Sequence, residues 1–144
     1  MEIKTFLFRY AGALTAGDLD GIAACYGYPS LILGDESAQA VAEASDVKNA
    51  FAGAAERYRA QGLTEIRPTI GETTRITERL VDVKVRWEYL DAEGVTRAEG
   101  YYRYTLRGDD GDTGGDTGIG TDTGTGDNLA IHVVVPIPAA EFGA

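Results

Sequence analysis

The spacing of apolar residues changes once along this chain, from the period of a helix to the period of a strand. Up to Gly62 the apolar residues recur every three or four positions. From Leu63 onward they alternate with polar residues, which is the pattern of a half-buried strand. Helices followed by strands are typical of an α+β fold, in which the helices cover one face of a mainly antiparallel sheet.

Glycines and capping residues divide the first part of the chain into three predicted helices. The first helix ends at about Ala16, and Asp18 caps a short second helix that carries Tyr26 on its apolar face. Ser45 is predicted to cap a third helix, which continues to Gly62. Between the second and third helices, residues 30–33 and 38–42 are predicted as two short strands.

The second part of the chain reads as a strand meander. Extended segments are predicted over residues 63–77, 80–90, 96–107 and 129–137. In the second of these segments Val81, Val83, Val85, Trp87 and Tyr89 share one face. Residues 91–94 form the predicted hairpin turn that leads to the third segment.

Length and charge limit the function classes that need to be considered. The 144 residues fit a single domain, 1–144, and no stretch is apolar enough to span a membrane. The net charge of −10 disfavours nucleic acid and anionic membranes as partners. The lone Cys25 cannot form an intramolecular disulfide and is predicted to be a buried thiol, and because no signal peptide is visible, a cytoplasmic location is expected.

Much of the negative charge lies in one segment, residues 108–128. This segment contains six Asp and eight Gly but no basic residue, so we predict a loosely ordered hairpin extension between two strands. It contains Asp-Thr-Gly three times, but each triplet lacks the apolar flanks of an aspartic protease site. No metal site is predicted, because one His, one Cys and dispersed carboxylates give no ligand spacing.

The order of these segments resembles the nuclear transport factor 2-like superfamily, which includes SnoaL-like polyketide cyclases, ketosteroid isomerase and scytalone dehydratase. Three segments carry the resemblance: FLFRYAGALTAGDLDGIAACYGYPSLIL at 6–33, DVKNAFAGAAERYRAQG at 46–62 and VDVKVRWEYLD at 81–91. The resemblance implies a cone-shaped α+β fold with three N-terminal helices packed on a curved sheet. It also implies a ligand pocket in the mouth of the cone and a homodimer formed through the outer face of the sheet.

Three residues are candidates for catalysis by proton transfer. Tyr10 resembles the oxyanion-donating tyrosine of ketosteroid isomerase, and Asp35 lies one residue beyond the position of that enzyme's base. His132, the only histidine, could act as a proton shuttle, although the alternation of Ile131 and Val133 places it on the opposite face of the strand. Each candidate also has a structural interpretation, as a core tyrosine, a turn residue or an outer-face histidine.

Six further residues are candidates for ligand binding because their side chains are aromatic or cationic and lie on adjacent elements. They are Tyr26, Trp87, Tyr89, Tyr102, Arg103 and Tyr104. The aromatic residues could equally be core packing, and Arg103 could equally pair with Glu99 across the polar face.

Two functions remain open. One is a SnoaL-like protein that binds a small amphipathic organic molecule, with cofactor-free proton transfer of the isomerase, cyclase or dehydratase type. The alternative is a non-catalytic binding or interaction module whose pocket is filled by side chains. No cofactor is expected for either function.

Overall fold

The structure of this protein is a computed structural model that describes residues 2–108 and 129–143. The helices are α1 (Ile3–Ala16), α2 (Leu19–Ala24), α3 (Ala44–Phe51), α4 (Ala54–Ala60) and α5 (Ala139–Phe142). The strands are β1 (Tyr26–Gly34), β2 (Ser37–Val41), β3 (Leu63–Arg75), β4 (Leu80–Asp91), β5 (Thr96–Gly108) and β6 (Leu129–Pro136). The predicted hairpin extension lies, from residue 109 onward, outside the described residues.

The strands form one open, curved sheet in the order β2-β1-β6-β5-β4-β3. All neighbouring strands are antiparallel except β1 and β6, which are parallel. Helices α1 to α4 pack on the concave face, so the predicted α+β class with helices on a curved, mainly antiparallel sheet is confirmed. Among the described residues four helices, not three, precede β3.

The fourth helix arises because the predicted third helix is interrupted. Ala52 leaves the helical conformation and Gly53 adopts a left-handed φ of 81°, which glycine tolerates without a side-chain clash. The interruption turns α4 away from α3. Ser45 is not the cap of α3, because the helix already begins at Ala44, and Asp46 accepts hydrogen bonds from the Ala42 and Glu43 amides instead.

Tyr26 belongs to a strand and not to the second helix, where the sequence pattern placed it. Asp18 caps α2 as predicted, since its carboxylate accepts a hydrogen bond of 3.0 Å from the Gly21 amide. The helix then ends at Ala24, and Tyr26 opens β1 opposite Ile131 of β6. The tyrosine therefore faces the interior from the sheet.

The core lies between α1 and the concave face of the sheet. From Val81 to Trp87 alternate β4 residues are buried as the pattern predicts, whereas Tyr89 is half-buried and Leu90 is buried, at a shift in the β4–β5 register. Phe6 and Leu7 of α1 are fully buried in the same core. Cys25 is also buried, as predicted, and burial raises the pKa of its thiol. No described helix is long and apolar enough to cross a membrane.

The outer face of the sheet is polar and is partly covered by α5. Lys84 of β4 forms ion pairs with Glu72 at 3.1 Å and with Glu141 of α5 at 3.6 Å. The Phe142 ring packs on Tyr101, with 5.6 Å between ring centroids, and fills the space over Gly71. The last described residues therefore lie against β3, β4 and β5.

Candidate functional site

A cavity of about 230 Å³ opens between the helices and the concave face of the sheet. Strands β1, β4, β5 and β6 and helices α1, α3 and α4 each contribute to its wall. The lining residues are Tyr10, Leu14, Tyr26, Ile32, Leu33, Phe51, Tyr58, Trp87, Tyr89, Tyr102, Tyr104 and Val134. Seven of these twelve have polar groups, and each of those groups is a phenol or an indole.

Tyr10 and Tyr26 form one pair of hydroxyl groups in the cavity wall. Their oxygens are 2.7 Å apart, and the rings meet edge to face at 5.9 Å. One hydroxyl donates to the other, so this bond uses only one of the two hydroxyl hydrogens. The described residues supply no acceptor for the other hydrogen.

Trp87 and Tyr104 form a second pair whose direction is fixed by chemistry. The Trp87 indole Nε1 lies 2.8 Å from the Tyr104 hydroxyl oxygen. Because an indole N–H can only donate, the Tyr104 oxygen accepts, and its own hydrogen is left for another acceptor. No acceptor for it occurs in the part of the chain that the structure describes, so Tyr104 retains a hydrogen-bond donor at the cavity wall.

Burial keeps these phenols protonated. Removal from water raises the pKa of the Tyr10 and Tyr104 hydroxyls well above the usual value of a tyrosine. Burial also raises the pKa of Tyr26 and of Tyr89. At neutral pH the cavity therefore presents neutral hydrogen-bond donors. No carboxylate, imidazole or amine is among its described lining residues.

Six of the nine predicted site residues come together in this cavity. They are Tyr10, Tyr26, Trp87, Tyr89, Tyr102 and Tyr104. The edge-to-face contacts of Tyr10 with Trp87, at 5.9 Å, and with Tyr104, at 6.4 Å, join helix α1 to the sheet. The same side chains thus serve both as core packing and as cavity wall.

Asp35 and Arg103 do not line this cavity. Asp35 lies exposed in the turn between β1 and β2. Arg103 alternates with Tyr102 and Tyr104 along β5, and this alternation directs it to the outer face beside Lys84. Its guanidinium Nε is buried but has no hydrogen-bond partner among the described residues.

His132 also lies outside the cavity, at the junction of β1 and β6. A β-bulge places His132 as an extra residue between Ile131 and Val133, so Val134, and not Val133, joins Ile131 in the buried set. Its Nδ1 lies 2.9 Å from the Pro29 carbonyl oxygen, so this nitrogen is the donor. The proton-shuttle role of His132 stays a prediction that the cavity geometry does not support.

Sequence reasoning did not assign six of the cavity residues to a site. Leu14, Phe51 and Tyr58 belong to the apolar stripes of the predicted helices, Ile32 and Leu33 to the predicted strand at 30–33, and Val134 to the predicted strand at 129–137. The signal that could have found the helical residues is their position, because an apolar stripe facing a curved sheet also faces the space between them. Within residues 2–108 and 129–143, no three potential ligands among His, Cys, Asp and Glu come together to hold a metal ion.

Helices that cover the concave face of a curved sheet and enclose an aromatic cavity are the fold of an NTF2-like protein. The sequence profile of one family, described as NTF2-like protein (DUF6841), matches residues 1–112. The chain belongs to this family. None of the curated proteins compared with the chain matches it.

Solved structures share the fold at low sequence identity. An NTF2-like protein of unknown function from Shewanella oneidensis is 15% identical, with a TM-score of 0.62 over 94% of this chain and 95% of that chain. Aln2 from a Streptomyces species is 14% identical, with a TM-score of 0.62 over 97% and 90% of the two chains. A Catenulispora acidiphila protein in complex with S-DNPA is 11% identical, with a TM-score of 0.58 over 94% and 89%.

Proposed function

We propose that this protein binds a small organic molecule whose ring part lies in the cavity, is uncharged and carries a hydrogen-bond acceptor. The observation that supports the proposal is the cavity of about 230 Å³ and its aromatic wall. Drug-sized sites occupy roughly 300–1,000 Å³, so a molecule of one or two rings suits this volume. The Catenulispora acidiphila protein of similar fold is in complex with S-DNPA, so proteins of this fold can bind a ligand.

The unused hydroxyl hydrogens indicate what the ligand must offer. Tyr104 and the Tyr10–Tyr26 pair each leave one donor without an acceptor among the described residues. A ketone or ether oxygen would satisfy these donors, whereas a hydrocarbon would leave them unpaired in an apolar site. An anionic group is disfavoured in this cavity, because none of its described lining residues carries a positive charge.

The cavity favours binding over proton transfer. Of the three proposed catalytic residues only Tyr10 lines it, and burial holds the pKa of Tyr10 far above neutrality. A protonated phenol can polarise a carbonyl, but proton abstraction also requires a base within reach. Because the described lining residues include no such base, we propose a binding protein and not an isomerase.

The only tryptophan of the sequence provides a direct test. Trp87 lines the cavity, so a ligand that enters it should change the intrinsic fluorescence of the protein. We propose titration with 1-tetralone and with tetralin, which has the same rings without the oxygen, followed by calorimetry. Tetralone should bind about fivefold more tightly than tetralin, since one hydrogen bond contributes about 1 kcal/mol.

Two pairs of variants locate the binding. Tyr104→Phe should remove most of the preference for tetralone, whereas Tyr101→Phe on the outer face should keep it. Ile32→Phe narrows the cavity and should abolish binding, whereas Leu31→Phe, at an exposed position of the same strand, should not. Absence of any saturable fluorescence change with either compound would refute the proposed function.

A further inference from the structure

A second cavity of about 180 Å³ lies beside the cone, between the end of α1, helix α4 and the start of β3. Its lining residues are Thr15, Ala55, Tyr58, Arg59, Leu63, Thr64, Glu65 and Ile66. Leu63 and Ile66 make its inner wall apolar, and both are buried. Charged side chains occur at Arg59 and Glu65, so this cavity combines apolar and charged lining residues.

One side chain, Tyr58, lines both cavities. Its ring is half-buried and packs at a tilt on Tyr89 of the cone, with 5.6 Å between ring centroids. Leu14, which lines the cone, and Thr15, which lines the second cavity, are consecutive in α1. The two cavities are therefore neighbours, and the Tyr58 ring forms part of the partition between them.

Helix α4, which carries Tyr58, packs on the rest of the protein through small residues. Its buried residues are Ala54 and Ala55. Ala55 packs so close to Gly17 that a Cβ added at Gly17 would lie 2.9 Å from the Ala55 Cβ. With little apolar surface buried, α4 is fixed less firmly than α1.

The two charged side chains that line this cavity differ in how firmly they are paired. Glu65 is engaged by Arg67, with 3.2 Å between Nη2 and Oε2. Arg59 lies 3.7 Å from Glu56, beyond hydrogen-bond distance, and both side chains are largely exposed. The guanidinium of Arg59 is thus the less committed of the two charged groups that line the cavity.

We propose that the two cavities are compartments of one ligand site. The ring system lies in the cone, an apolar arm passes Tyr58 into the second compartment, and a carboxylate at the end of the arm meets Arg59. This inference rests on the proposed function, since it needs a ring bound in the cone. It adds the ligand class, which is a ketone-bearing ring with an acidic side arm.

The test uses a set of ligands that differ only in the arm. The parent is 6-methoxy-1-tetralone, and in the other compounds the methyl group is replaced by a carboxymethyl, carboxypropyl or carboxypentyl group. Calorimetry on the full chain should show affinity rising with arm length, to a gain of about tenfold over the parent. Replacing the terminal carboxylate by a carboxamide should remove about threefold of that gain.

Variants on α4 separate the charge contact from a general effect of charge. Arg59→Gln should reduce carboxylate binding about threefold and leave the carboxamide unchanged. Arg57→Gln, on the same helix but in neither cavity, should leave both unchanged. A crystal structure with the carboxypropyl compound should place its arm between Tyr58 and Leu63.

Two results would overturn the inference while leaving the proposed function intact. One is equal affinity of the parent and all the armed compounds for the unsubstituted protein. The other is an equal loss of carboxylate affinity in the Arg59→Gln and Arg57→Gln variants. If neither 1-tetralone nor tetralin binds, the proposed function fails and this inference fails with it. If 1-tetralone binds but neither the parent nor the armed compounds do, this inference alone fails.

Discussion

Gly27 and His132 lie side by side where β1 meets β6, and each limits what can replace the other. A Cβ added at Gly27 would overlap the His132 imidazole. The imidazole is held there by its hydrogen bond to the Pro29 carbonyl. Glycine is therefore required at position 27 by the close approach of a neighbouring side chain and not by its own backbone angles.

The first prediction is a double-mutant cycle at this contact. Gly27→Ala should lower the free energy of unfolding by about 1–3 kcal/mol, since the added methyl group displaces the imidazole. In a His132→Ala background the same change should cost less than about 0.5 kcal/mol. Urea denaturation measures both values. Gly12→Ala is the control, because the space at this exposed position of α1 is open and alanine favours the helix. Equal costs of Gly27→Ala in the two backgrounds would contradict the contact.

Site residues were predicted correctly where their orientation depends only on nearby residues in the chain, and not where it depends on pairing with a distant strand. Trp87, Tyr89, Tyr102 and Tyr104 were placed correctly, because strand alternation depends on nearby residues alone. The same alternation puts Arg103 on the outer face, so the sequence pattern itself argued against Arg103 as a ligand-binding residue. His132 required knowledge of a bulge, which depends on how β5 pairs with β6 and leaves no mark in the sequence of one strand.

The beginning of helix α3 depends on one carboxylate. Asp46 Oδ2 accepts hydrogen bonds from the Ala42 amide at 3.0 Å and the Glu43 amide at 3.2 Å. These amides precede the first helical turn and have no carbonyl partner within the helix. Asp46 also contributes negative charge near the N-terminus, where the helix dipole favours it.

The second prediction therefore contrasts Asp46 with the residue that the sequence pattern favoured. Asp46→Ala should lower the free energy of unfolding by about 1 kcal/mol, as loss of a capping side chain does. Ser45→Ala should change it by less than about 0.5 kcal/mol, because Ser45 is not the capping residue. Thermal unfolding of the two variants distinguishes the assignments, and a larger effect at Ser45 would return the cap to that residue.

Asp91 organises the turn between β4 and β5. Its carboxylate accepts hydrogen bonds from the Val95 amide at 3.0 Å, the Glu93 amide at 2.9 Å and Arg97 Nε at 2.8 Å. These bonds, with that of Val95 contributing most, hold the pKa of Asp91 below its usual range. The ionised carboxylate is thus favoured by the folded hairpin.

The third prediction is a pH dependence with a defined sign. Because the folded pKa of Asp91 is lowered, its contribution to stability is complete above the unfolded pKa of about 3.9. It is lost as the pH falls through the folded pKa. Asp91→Asn should be less stable than the unsubstituted protein at neutral pH, and the difference should shrink in acid. Urea denaturation over a pH series measures this difference, and a gap that stays constant into acid would contradict the role of the charge.

At the level of whole elements, the sequence predicted the strands and turns that follow from the spacing of neighbouring residues. The meander β3–β4–β5 and the turn at residues 91–94 follow from alternation and turn residues. The break between α3 and α4 was missed, because a single glycine such as Gly53 is compatible with a continuous helix. The packing of Ala55 on Gly17, which accompanies the break, is a contact between distant residues and is not visible in the local sequence. Tyr26 was assigned to a helix because its strand partner, Ile131, lies more than one hundred residues away.

The outer face of the sheet is where we expect the predicted homodimer to form. The Nε atoms of Arg86 and Arg103 are buried there without a hydrogen-bond partner among the described residues. Glu88 and Asp82 lie on the same face, so charges of both signs alternate across it. A second copy related by a two-fold axis could place the carboxylates of one face near the guanidinium groups of the other.

The fourth prediction tests this arrangement by oligomeric state. Light scattering after size exclusion should give the mass of a dimer for the unsubstituted protein and of a monomer for Arg103→Glu. Arg107→Glu, at an exposed position farther along β5, carries the same charge change and should remain a dimer. A monomeric unsubstituted protein, or equal behaviour of the two variants, would refute the dimer at this face.

The aromatic interior also determines how the whole molecule responds to alkali. Burial raises the pKa of Tyr10, Tyr26, Tyr89 and Tyr104 in the folded state. In the unfolded chain the same phenols ionise near pH ~10. The stability that they contribute as neutral groups is complete below that pH and decreases above it, because only the unfolded state then releases protons.

The fifth prediction follows from this linkage. As the pH rises past ~10, the tyrosines that are only partly buried should ionise first, and the deeply buried ones only when the fold is lost. Phenolate absorbance and circular dichroism, recorded together, should show the second rise in absorbance coinciding with the loss of structure. A Tyr10→Phe, Tyr26→Phe double variant should show a smaller second rise, because two of the eight tyrosines are then absent.

Ionisation of all the tyrosines in one step, with the sheet signal intact, would mean that water already reaches these phenols. A solvent-filled cone of that kind would also weaken the case for an apolar ligand, so the alkaline titration examines the same interior as the binding experiments by an independent route.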